Sequence, residues 1–284
     1  MPQIVSPLGY PGSKKRFAKY IIEIIEKNNL HPELFIEPFA GSLSVSLILL
    51  KNNIVDNIGF TDLDPLVSSF WKVLFFDTEW LIEAIDNIEV TIEQWHEYKK
   101  TDLKTCSQRE LALMCLFLNR TSFSGNLRPE VGPLGGRSQE GKWKIDTHFP
   151  KPTIIRRIKM IAEYKQRVLF AENKGWEETV KMALNTYGDK KTLIYFDPPY
   201  FKEGDQLYNY YFNDGKHMQL RNALENIKTD FILSYDYHPK FDAFYSPDDF
   251  NISKIDFLYI GGPKDGGKRA TEILASNLQY LPGK

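Results

Sequence analysis

The chain has 284 residues, 42% hydrophobic and 14% aromatic, enough to bury a sizeable core in one large domain or one domain with an insertion. No run reaches the roughly 18 apolar residues of a membrane span, and the first residues, MPQIVSPLGY, lack a charged segment leading into an apolar one, so a cytoplasmic protein without a membrane partner is expected. The net charge of -1 hides an asymmetry: residues 99–167 carry fifteen Lys or Arg against six Asp or Glu, a footprint suited to a polyanion and equally to a solvated charged face.

In chain order, 13–28 has a helical pattern and LFIEPF (34–39) reads as a strand. A helix over 43–51, a strand NIGFTD (57–62) and a helix over 64–76 follow. The alternation then breaks. Helical patterns at 79–87, 91–100 and 107–119 lead into a polar, glycine-bearing stretch, TSFSGNLRPEVGPLGGRSQEGKW, which reads as an insertion between two strands. Strand and helix resume with RVLFA (167–171), 175–185, TLIYF (192–196), 215–227, DFILSY (230–235) and KIDFLYI (254–260). The segment GGPKDGGKRATEILASN (261–277) fits a glycine loop entering an antiparallel last strand or a helix. Several strands are continuously apolar, as strands buried on both faces are. The expected fold is α/β, a doubly wound sheet with helices on both faces and a mainly helical insertion at 77–150. Cys106 and Cys115 match neither a zinc spacing nor a disulfide framework and are expected to be buried packing residues; the five histidines are scattered, so no metal is expected.

Ligands of open parallel sheets bind outside the carboxyl ends of the strands. Three such ends carry chemistry: Glu37 to Gly41, Asp62, and Asp197 to Tyr200 in LIYFDPPYF. DPPY suits a plain turn, because prolines fix φ and donate nothing to a ladder. It also suits an aromatic amine. Such a nitrogen shares its lone pair with its ring; acceptors for both N–H groups favour the pyramidal form in which the lone pair is free. The Asp197 carboxylate and the Pro198 carbonyl are candidate acceptors, with Pro199 stiffening the turn and Tyr200 offering a ring on which a base stacks.

YPGSK, FIEPFAGS, TDLD, LNRTSFSG and DPPY, in that order, resemble the Dam-like family of DNA adenine N6-methyltransferases over about residues 7 to 277. The resemblance implies a Rossmann-like methyltransferase sheet, S-adenosylmethionine as cofactor and double-stranded DNA as partner, in a monomer or weak dimer. It also implies a catalytic unit of 1–76 and 151–284, with target recognition in the 77–150 insertion. It assigns the cofactor to Tyr10, Gly12, Lys14, Glu37, Phe39, Gly41, Asp62 and Asp197, and catalysis to Asp197, Pro198, Pro199 and Tyr200. An acid at the end of a second strand accepting ribose hydroxyls is a device shared with dinucleotide folds. GYPGSKK does not meet the phosphate-loop spacing. One departure stands out: where the family has a second glycine in its cofactor loop, this chain has Leu43, so either the loop shifts or cofactor binding weakens.

An exocyclic amine is reached only in a base taken out of its stack. The side chains offered to DNA are Asn119, Arg120, Ser122, Ser124, Asn126, Arg128 and Arg137, with Arg269 offered to phosphates; each also suits a solvated loop or a helix end. Tyr208, Tyr210, Tyr211 and Phe212 are expected in a lid, and Trp176 either in the core or stacked on the cofactor. Cytosine N4 or another exocyclic amine is the alternative acceptor, and a catalytically weakened DNA-binding relative the alternative class.

Overall fold

The structure, a computed structural model, describes residues 4–9, 14–201, 210–259 and 268–283; for Lys15, 257–259 and 268–270 it describes the backbone alone. Expectations on Tyr10, Gly12 and Tyr208, and on the Arg269 side chain, lie outside the described residues.

Seven strands form one sheet: β1 (Leu34–Glu37), β2 (Asn57–Thr61), β3 (Val168–Glu172), β4 (Thr192–Phe196), β5 (Asp230–Asp236), β6 (Asn251–Tyr259) and β7 (Lys268–Ser276), in spatial order β3-β2-β1-β4-β5-β7-β6. The pairings among β1 to β5 are parallel, and β7 lies antiparallel between β5 and β6. Strand order reverses between β1 and β4, so a crevice opens at their carboxyl ends. The glycine-bearing tail segment thus continues as a strand, settling the choice its sequence left open.

Before the sheet come a 3-10 turn at Lys14–Arg16 and α1 (Ala18–Lys27), where the sequence suggests one continuous helix. α2 (Ser44–Lys51) follows β1 and α3 (Pro65–Phe76) follows β2. α3 starts where it does because Asp64 caps it, accepting the Leu66 N–H at 2.9 Å, and Pro65 presets the first turn. The insertion supplies α4 (Thr78–Asn87), α5 (Ile92–Lys100) and α6 (Gln108–Thr121), the last opened by a Ser107–Glu110 capping box. α7 (Lys151–Ala162) precedes β3; its buried Ile154, Ile158 and Ile161 keep helical spacing inside a basic stretch. α8 (Trp176–Tyr187), α9 (Asp214–Asn226) and the short α10 (Pro239–Phe244) complete the described helices.

Strand alternation sorts the apolar residues into two cores. Phe35, Phe60, Leu193, Ile232 and Leu274 face α1, α2 and α3; Ile36, Ile194, Phe231, Leu233 and Ile273 face α8, α9 and α10. The first core runs without a break into the insertion, taking in Leu81, Trp95, Leu116 and Phe117. Cys115 is fully buried there, as expected, whereas Cys106 is only half-buried. Among the described residues no helix is long and apolar enough to cross a membrane.

Candidate active site

The two-residue period of the strands decides which polar side chains meet. Tyr195 of β4 and Ile232 of β5 belong to the α1–α3 face. By the same alternation Asp197, Ser234, Asp236 and, on β7, Glu272 point to that face at the sheet's carboxyl end. The turn before α1 brings Lys14 onto them. Its buried ammonium lies 2.6 Å from Glu272 Oε2 and 3.4 Å from Asp197 Oδ1, and 5.1 Å from the centre of the Tyr200 ring. Ser234 donates to the same Asp197 oxygen at 3.1 Å, and the Tyr195 hydroxyl sits 2.8 Å from Ser234. Among the described residues both contacts to the Asp197 carboxylate fall on Oδ1.

Burial pushes the Asp197 carboxyl up, Lys14 pulls it back, and Glu272 adds to the rise, leaving it at about 6. Burial lowers the affinity of Lys14 for its proton, but Asp197 and Glu272 outweigh it and hold the ammonium well above its ordinary value. Near neutral pH the pair is therefore ionised.

At the end of β1, Glu37 is buried and accepts the Ser46 N–H at 2.7 Å; burial, with a contribution from Asp197, lifts it to about 8. The loop beyond it turns at Gly41, with φ at 43°, and its carbonyl accepts the Trp71 indole N–H at 2.8 Å. Leu43 follows with φ 51° and ψ 23°, the left-handed conformation glycine adopts freely, while its side chain is buried in the core. Leucine here takes a backbone conformation that is strained for a residue with a side chain. Asp62, after β2, holds this loop, accepting the Gly41 N–H with Oδ2 and the Asp64 N–H with Oδ1, both at 2.9 Å. Among the described residues two lone-pair sites of this half-buried carboxylate are left over, and burial with Asp64 raises it to about 7.

The DPPY turn is anchored from behind. Pro198 and Pro199 are buried, and Phe201 stacks on His217 at 4.0 Å and lies nearly parallel to Phe244 at 5.7 Å. His217 shares a 2.8 Å hydrogen bond with the Tyr235 hydroxyl, and burial lowers it to about 4, so it is neutral. Phe39 packs edge-on to Phe212 at 5.7 Å, while Tyr210 and Tyr211 are exposed. Trp176 lies edge-on to Phe196 against the second core.

The sequence matches the model of the D12 class N6 adenine-specific DNA methyltransferases over residues 10–259, spanning this crevice and the insertion. The chain belongs to that family. It is also similar to the Type II methyltransferase M.MjaIII of Methanocaldococcus jannaschii, with 23% identity over 272 residues, covering 87% of this chain and 89% of that protein. The protein is thus an adenine-specific DNA methyltransferase with a methyltransferase sheet, which sets aside cytosine N4 as the acceptor.

In this methyltransferase the insertion residues divide by exposure. Asn119 is buried: its Oδ1 accepts the Gly9 N–H at 2.8 Å, and its amide donates to the carbonyls of Gly9 and Gly125 at 3.2 and 2.7 Å. It braces the N-terminal segment against the loop. Gly125 is required there, since its φ is +70° and a Cβ would stand 1.9 Å from the Gly9 carbonyl oxygen. Asn126 is buried and accepts the Arg128 N–H, and Ser122 accepts the Trp95 indole N–H at 3.1 Å. Arg120 donates to the His148 carbonyl at 2.6 Å, and Arg128 pairs with Glu130 at 3.2 Å. Ser124 and Arg137 are exposed.

Sequence reasoning passed over Glu272, Ser234, Phe201 and His217. A signal existed for two of them: Glu272 and Ser234 are polar residues set inside apolar strand runs, TEILAS and FILSY.

Proposed function

We propose that Asp197 and the Pro198 carbonyl accept the two N–H groups of the adenine N6 amine, freeing its lone pair for direct displacement on a methyl donor. The observation carrying this reading is the one-sided anchoring of Asp197, whose Oδ1 is held by Ser234 and Lys14 while Oδ2 remains for substrate. Tyr200 offers its ring to the adenine, which is flipped out of the duplex. The family implies a methyl donor, and S-adenosylmethionine, when bound, supplies an electrophilic methyl group. The donor set fits that ligand. Asp62 has lone pairs left for ribose hydroxyls, the Gly41 turn lets backbone approach closely, and the ionised Asp197 gives a cationic sulfonium a negative neighbour, with the neutral Glu37 beside it. Phe39 and Lys14 flank the same crevice, and Tyr10 and Gly12 belong with them by family resemblance.

The insertion at 77–150 is assigned to target recognition. Ser124 and Arg137, exposed on its loop, are the side chains best disposed toward DNA, with Arg120 and Arg128 at its edge and Arg269 beyond. Asn119 and Asn126 are assigned to holding the loop's shape. The protein acts as a monomer or weak dimer in the cytoplasm.

Two measurements test this reading. Asp197→Ala is expected to abolish transfer of labelled methyl groups to duplex DNA while calorimetry still shows S-adenosylmethionine binding. Retained transfer overturns the assignment. Modified-base sequencing of DNA from an expressing host is expected to show N6-methyladenine in a fixed sequence context.

A further inference from the structure

One buried ammonium serves three carboxyl groups. Glu272 and Asp236 are directly opposed across the antiparallel β5–β7 pairing, a placement that sets two acids side by side. Asp236 is raised to about 6 by burial and by Glu272, and its Oδ1 has no hydrogen-bond partner among the described residues. Lys14 lies among these acids and Asp197, and the distances are unequal: 2.6 Å to Glu272, 3.4 Å to Asp197. Without the closer carboxylate, Asp197 is the acid nearest the ammonium among the described residues, the other salt-bridge partner of Lys14 being Glu272 itself. A charge-assisted pair closes to about 2.7–2.9 Å and, when bidentate, occupies both carboxylate oxygens.

We propose that Glu272 is a positioning residue for methyl transfer: it draws the Lys14 ammonium onto its own carboxylate, keeping that cation beside Oδ1 of Asp197 and clear of Oδ2. The proposal rests on the reading of Asp197 as an acceptor for the N6 amine. Asp197 must be negative to accept well, yet uncommitted on one oxygen, and a lysine tethered elsewhere meets both demands. The other groups facing the pair are Tyr195 from β4, Asp236 from β5, Glu37 from the end of β1 and Tyr200 from the turn.

The test is single-turnover methyl transfer by the full-length enzyme at saturating S-adenosylmethionine and duplex DNA, followed from pH 5 to 9, for wild type, Glu272→Gln, Glu272→Asp and Asp197→Asn. Glu272→Gln frees Lys14 to close on Asp197. Its rate on the plateau is expected to fall about tenfold or more, as when an aligned polar contact is lost. Its acidic limb is expected to move to lower pH by roughly one unit, because the closer cation and the missing acid both favour the Asp197 carboxylate. S-adenosylmethionine affinity by calorimetry is expected to fall by less than the rate does, since the groups assigned to its ribose are untouched and only the Asp197 neighbour of the sulfonium changes. Glu272→Asp keeps the tether and is expected to retain more of the rate than Glu272→Gln, with a limb near that of wild type. It also supplies the decisive comparison if the glutamine variant folds poorly.

A Glu272→Gln enzyme with lower thermal stability but the wild-type rate and limb per folded molecule overturns the proposal, because a structural ion pair predicts that pattern. So does a Glu272→Asp enzyme no faster than the glutamine variant. Inactive Asp197→Asn beside a normal Glu272→Gln refutes the positioning role alone; active Asp197→Asn refutes the underlying reading.

Discussion

Leu43 sits in a backbone conformation that costs a residue with a side chain about 1–2 kcal/mol, and it remains there because its side chain is buried among apolar neighbours. The two effects separate by substitution. Leu43→Ala loses the burial and keeps the strain, while Leu43→Gly loses the burial and relieves it. In urea unfolding alanine is therefore expected to be the more destabilising by about 1 kcal/mol, reversing the usual order of these residues in a helix. The sequence marked position 43 as a departure; the conformation was invisible in it, since nothing in GSLSV says which residue must turn left-handed. Glu37 gives a second residue-scale expectation. Its carboxyl titrates near 8 in the fold and about 4.3 in an unfolded chain, so its contribution to stability is complete below pH 4 and is lost as pH rises through 8. Glu37→Gln keeps an acceptor for the Ser46 N–H, and its unfolding free energy is expected to fall less between pH 5 and pH 8.5 than that of wild type. Equal slopes rule the effect out.

At the scale of elements, the end of α6 is tied to two segments by one amide. Asn119 closes three hydrogen bonds that nothing else in the described structure replaces. Asn119→Ala removes three hydrogen bonds to the exposed Gly9 and the half-buried Gly125, at about 0.5–1.5 kcal/mol each. The expected outcome is a lower melting temperature together with weaker DNA binding. A residue that only reads a base weakens binding and leaves melting unchanged, so the pair of measurements separates the two roles. Asn and Arg beside a polar loop gave no means of telling a brace from a reader, because burial is a property of the fold. The alternating elements from β1 to α3 and from β3 to β5 were legible because their apolar runs are long and separated by turn residues. α7 went unseen although Ile154, Ile158 and Ile161 mark it, since Arg and Lys dominate that stretch. The DPPY turn and the acids at three strand ends were legible as motifs; the aromatic stack behind Phe201 was not, because its members come from three separate elements.

Over the whole molecule, charge is segregated: an excess of fifteen basic against six acidic residues over 99–167 sits in a chain whose net charge is -1. Binding to DNA is expected to weaken steeply with salt, and Arg137→Ala to reduce the slope of log K against log salt by about one if the guanidinium meets a phosphate. An unchanged slope removes Arg137 from the interface. The sheet order has a consequence for synthesis. β6 pairs with nothing but β7 among the described strands, and β7 is made after it, so β6 leaves the ribosome without a docking place. The closest partner of Lys14, 258 positions further along the chain, arrives on that same late strand. A nascent polypeptide can therefore assemble its parallel strands and the loop after β1 early while its lysine lacks that tether. If Glu272 steers Lys14 as proposed, the full rate of methyl transfer is reached only after β7 has been made and has paired with β5 and β6.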